Sequence, residues 1–232
     1  ITTTTCLRAV AVKNGWKHTN IDAQTYIFPN DVLKQATNPS TGAQVVPTGY
    51  PTLWDNSRGA VVTGDYQIDP DIVNHSNSAD RLTAADLLAA PTVSLVARRG
   101  DFFDLSGIYL NEELTYIVDE ATEKAVSVEV IDPARGESVQ ANCAIAMAGG
   151  ATGGGTSLDR WKSYKLSMRP RFKPTLDNGT YTGGPAQLDF KVFADSPIEQ
   201  FDTFVFDAVL NHSWVHTQDA SQRSTAIYIQ DQ

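Results

Sequence analysis

The chain has 232 residues, enough to bury a sizeable core as one large domain or as a main domain with a small appendage. Its balance is acidic, 27 Asp plus Glu against 18 Lys plus Arg, and the basic residues are scattered outside the segment 160–173. That distribution lacks the basic face a nucleic-acid partner requires, and no apolar run is long enough to span a membrane. Ile1 stands where a start methionine would, so the chain is expected to be a processed or trimmed piece of something longer.

Taken in chain order, "TTTTCLRAVAVKNGWKHTNIDAQTYIF" reads as two strands. Cys6, Arg8, Val10 and Val12 alternate with Leu7, Ala9 and Ala11, and Asn14-Gly15 supplies a tight turn before a second β-rich run that Pro29 closes. Residues 1–30 are therefore expected to be a small β-hairpin remnant. Residues 31–63, rich in Pro, Gly, Asn and Thr, form a linker or long ordered loop pinned by Trp54 and Tyr50. Asp69-Pro70 begins a short helical turn. "SADRLTAADLLAAP" is the best helix, with Ser78 or Asp80 as its cap and Pro91 as its stop.

Beyond Pro91 the runs "TVSLVA", "GIYL", "AVSVEVID", "SVQANCAIAM", "WKSYKLSM", "QLDFKVF", "TFVFDAVL" and "IYI" are short, β-branched or aromatic, and separated by turn formers. Residues 64–232 are thus expected to be a β-rich domain. The fold class is mainly β: an antiparallel sandwich or twisted sheet with one or two short helices.

Candidate chemistry is sparse. Cys6 and Cys143 lack metal-ligand spacing; a disulfide and two buried thiols remain alternatives. His212 and His216 on a strand would lie roughly 13 Å apart, which excludes a shared zinc. Asp69 with Asp71, or Asp101 with Asp104, offers oxygen ligands to a structural Ca²⁺, although caps and turns already account for carboxylates beside Pro and Gly. Among the tryptophans, Trp161 and Trp54 are the candidate platforms for a sugar ring, with packing as the alternative role; Trp214 is assigned to the core. In "MAGGATGGGTSLDRWKSYKLSM", Gly149, Gly150 and Lys162 could contact phosphate. Glycines with no helix N-terminus behind them read rather as a flexible loop, and Lys162 as a side chain reaching from the sheet edge to water.

The order of "DYQIDPDIVN", "LLAAPTVSLVARRGDFFDLSGIYLN", "SVEVID", "KSYKLSMRPRF", "VFADSPIEQFDTFVFDAVLNHSW" and "YIQDQ" resembles the large extracellular bacterial proteins of the CotH (spore-coat kinase-like) family. The first thirty residues resemble the end of a chitobiase C-terminal-like β-sandwich. The resemblance implies a secreted or cell-surface, multidomain bacterial protein. It also implies that the acidic residues of its kinase-like domain follow Gln232, so this portion is expected to be non-catalytic and to need no cofactor. Its partners would be carbohydrate, surface components or neighbouring domains of the same polypeptide. The alternative is the nucleotide-binding front portion of such a kinase, using ATP and Mg²⁺. Ala146 in place of an expected arginine, and Thr152-Gly153 in place of Ser-Arg, remove cations that reading needs.

Overall fold

A computed structural model describes residues 1–55, 61–104, 106–108, 123–147, 168–176, 179–207 and 228–230. The protein is mainly β, with an antiparallel sheet, short helices and a small N-terminal hairpin. The chain divides into two compact units: Ile1–Thr52, Gly64–Val96 and Ser127–Gln140 form the first, and Leu53–Thr63, Ala97–Val126 and Ala141–Gln232 the second.

The first unit opens with β1 (Thr5–Ala9) paired antiparallel to β2 (Asp22–Tyr26), Cys6 opposite Thr25 and Arg8 opposite Ala23. Ala23 and Thr25 are buried while Asp22, Gln24 and Tyr26 are exposed, the alternation a strand with one covered face must show. The expected two-residue turn is replaced by a longer loop. β1 ends at Ala9, and the strand ladder gives way to Thr19, whose hydroxyl accepts from the Ala11 amide (2.9 Å) while its own amide donates to the Ala11 carbonyl (3.1 Å). Gly15 still supplies the positive φ, +77°, in a turn closed by the Trp16 amide donating to the Lys13 carbonyl.

Pro29 starts α1 (Pro29–Val32) at a position where a missing N–H costs nothing. The following loop is held by side chains: Gln44 accepts from the amides of Tyr66 (2.6 Å) and Gln67 (3.0 Å) and donates to the Gly64 carbonyl, and Tyr50 packs edge-on against Tyr66. Asp69 caps α2 (Pro70–Val73) as expected. The helix foreseen from Ser78 onward is divided. Ser78–Asp80 is a single 3₁₀ turn capped by Asn77, and α3 (Ala84–Ala89) begins only after Thr83. Thr83 and Asp86 form a reciprocal capping box, which outcompetes Ser78 and Asp80 as the start; the Thr83 hydroxyl and then its amide, both donating to the Asp86 carboxylate, hold it below its ordinary pKa.

The main sheet runs in the order β12-β11-β8-β7-β6-β5, with β5 (Thr92–Val96), β6 (Lys124–Asp132), β7 (Glu137–Met147), β8 (Met168–Arg171), β11 (Val205–Asp207) and β12 (Tyr228–Gln230). β5 pairs antiparallel with β6: Val93 and Leu95 share a face with Val130 and Val128, and Ser94 lies opposite Glu129 on the other. Asp132 fixes the β6–β7 turn by accepting from the Arg135 amide and guanidinium (2.7 Å to Nε).

The second unit holds the short hairpin of β3 (Leu53–Asp55) and β4 (Val61–Thr63), α4 (Arg99–Phe103), a further short pair of β9 (Leu188–Asp189) and β10 (Gln200–Phe201), and the aromatic core. α4 was not expected, because a single turn leaves no helical period to read. Along β8 and just beyond it, Met168, Pro170 and Phe172 are buried while Arg169, Arg171 and Lys173 alternate with them. Pro170 brings no N–H to the sheet. The β8–β11 ladder narrows there to Met168 opposite Phe206, and the Thr203 hydroxyl donates to the Pro170 carbonyl (2.8 Å). Phe204 is 1% exposed and touches the rings of Phe172, Phe201 and Phe206 at 5.7, 6.0 and 5.1 Å between centroids.

Neither cysteine is bonded: Cys6 is exposed and Cys143 buried. Burial, and then the nearby negative charge of Glu123, push the Cys143 thiol far up from its ordinary pKa, so it stays protonated and unreactive. A thiol-selective chromogenic reagent is expected to label one cysteine per native chain, Cys6, and two in denaturant. Rapid labelling of both under native conditions would contradict the buried position of Cys143.

Candidate functional site

Of the residues selected from sequence, Trp161, Gly149, Gly150 and Lys162 lie outside the described residues, as does the side chain of Trp54, whose backbone sits in β3 opposite Val62. The carboxylates are placed. Asp69 is occupied by the Asp71 amide (2.8 Å) while Asp71 is exposed. Asp101 belongs to α4, its carbonyl accepting from Ile108, and Asp104 follows that helix at the surface. Among the described residues no three His, Cys, Asp or Glu side chains gather as a metal site.

Three buried carboxylates escaped the reading of the sequence: Asp132 in the β6–β7 turn, Glu129 and Glu123. In the first unit, Glu129 is 2% exposed on a valine-rich strand. Its Oε1 accepts from Gln24 Nε2 (2.7 Å) and its Oε2 from the Thr25 amide (2.8 Å), and the Thr25 hydroxyl shares a 2.7 Å hydrogen bond with Ser94. This joins the N-terminal hairpin to β5 and β6. In the second unit, the Glu123 side chain is 1% exposed and pairs with Arg171 (3.2 Å) and Lys173 (2.6 Å), cations that are each about a quarter exposed. A carboxylate inside an apolar strand, as in "VSVEVID", is itself the signal that would have found Glu129. It demands a partner, and the partner had to come from elsewhere in the chain.

The surface feature with binding chemistry is the tip of the β1–β2 hairpin. Trp16 is 70% exposed, and the Lys13 ammonium lies 4.8 Å from the centre of its ring. A cation at that distance holds one ring face by electrostatic attraction to the π cloud, which orients the indole and leaves its other face to solvent. The Lys13–Trp16 turn and the double Ala11–Thr19 hydrogen bond make this a formed loop. Val10 and Val12 add exposed apolar surface beside it. Sequence reasoning chose Trp161 and Trp54 and passed over Trp16, because exposure depends on what the hairpin is packed against.

No protein-family model matches the chain, and neither the curated proteins nor the solved structures contain a significant match to it.

Proposed function

We propose that the chain is a non-catalytic, extracellular β-rich module of a CotH-like multidomain protein, and that it contacts carbohydrate through Trp16. The observation that carries this reading is the oriented, 70% exposed indole at the hairpin tip. A large flat ring kept in water gains from covering the C–H face of a pyranose, since apolar area leaves solvent on both partners. The buried acids favour the same reading: Glu123, Glu129 and Asp132 are all engaged in ion pairs or hydrogen bonds that tie structural elements together.

The test is titration with soluble glycans, followed by indole fluorescence and by thermal shift. Trp16→Ala is expected to weaken binding roughly tenfold, the size of one well-stacked aromatic contact, and to leave the far-ultraviolet circular dichroism unchanged because the side chain is exposed. Glycan affinity untouched by the substitution would sink the assignment to Trp16. Stabilisation by ATP with Mg²⁺ and by no glycan would favour the kinase-front alternative instead.

A further inference from the structure

We infer that the polymer recognised at the hairpin tip is an anionic polysaccharide, one bearing carboxylate, sulfate or phosphate groups; this rests on the carbohydrate reading and narrows its ligand. Charge is segregated along the chain. The first 21 residues hold Arg8, Lys13 and Lys17 and no acidic residue, so all 27 Asp and Glu lie beyond them. All three cations are exposed, and two of them fall inside the nine-residue loop closed by Ala11 and Thr19. Asp22, exposed on β2 opposite Ala9, is the nearest acid in the chain to that loop, which itself carries two cations and no carboxylate on a protein whose formal net charge is −9.

A polyanion would be repelled by most of this surface and drawn to the tip, which fixes where it binds as well as how firmly. The apolar ring and the cations act on different parts of one sugar: Trp16 covers the C–H face, and the ammonium groups attract the charged substituent. Lys13 lies over the ring face that the sugar does not cover, so it holds the indole and adds its charge to the field at the tip, and Lys17 is the other cation of the same loop. An anionic lipid surface shares the charge requirement. It fits less well, because Asn14, His18 and Asn20, exposed and close to the tryptophan in the chain, would lose water on entering hydrocarbon.

The whole chain is titrated with polygalacturonate, sulfated dextran, neutral dextran and phosphatidylglycerol vesicles. Binding to the two charged polymers is expected, falling roughly tenfold between about 50 and 200 mM salt as the ionic contacts are screened. The Lys13→Gln/Lys17→Gln double variant is expected to lose up to about tenfold in affinity for them. Lys17→Gln alone, which leaves the Lys13–Trp16 contact intact, should show a smaller loss and a shallower salt dependence. Equal, salt-independent binding of neutral and charged polymers would overturn the charge inference and leave the carbohydrate reading standing. Binding to vesicles alone, or to none of the four, would overturn both.

Discussion

Replacing Glu123 by alanine is expected to destabilise the fold by about 3–5 kcal/mol, the range for removing one member of a buried ion pair. The side chain is 1% exposed and answers two cations, Arg171 at 3.2 Å and Lys173 at 2.6 Å. Without it, two positive charges face each other across a cavity. Both cations keep about a quarter of their surface in water, which places the cost toward the lower end of the range. Glu123→Gln keeps the shape and loses the charge, so it separates packing from electrostatics and should fall between wild type and alanine. Urea unfolding followed by circular dichroism measures both. A loss below about 1 kcal/mol for the alanine variant would mean that the cations reach water freely and the pair is not a structural tie.

Phe204→Ala is expected to cost a similar amount, about 3–5 kcal/mol, for a different reason. The ring is 1% exposed and meets three other phenylalanines, two of them edge-on at interplanar angles of 85° and 83°. Truncation removes apolar surface from the core and opens a hole that Phe172, Phe201 and Phe206 cannot all collapse into, since each is set by its own segment. The melting temperature should drop by roughly 10 °C for a chain of this length. Phe204→Leu, which refills most of the volume, should recover at least half of the loss. An alanine variant melting within about 2 °C of wild type would remove Phe204 from the centre of the core.

The β-rich class was legible because the runs "TVSLVA", "AVSVEVID" and "SVQANCAIAM" carry branched side chains at strand spacing between turn formers, and they became β5, β6 and β7. Helix ends were read less well. Ser78, Asp80 and Thr83 all have capping chemistry, and only the reciprocal bond between Thr83 and Asp86 decides among them. The run "QLDFKVF" shrank to the two residues of β9, because a short strand lasts only as long as its partner, here Gln200–Phe201. The site was less legible than the fold. An exposed tryptophan and a buried one look the same in sequence, and the partners of Glu129, more than a hundred residues away at Gln24 and Thr25, are visible only after folding.

The Glu129 carboxylate also has a bearing on solubility. By taking the Thr25 amide, it occupies a main-chain donor on β2 that a stray β-strand from another molecule would otherwise use as a template. Glu129 is 2% exposed and Thr25 9%, so this donor is closed off inside the first unit, out of an incoming strand's reach. A two-stranded hairpin would ordinarily be a place for fibre-like growth to begin, and here one side chain blunts it.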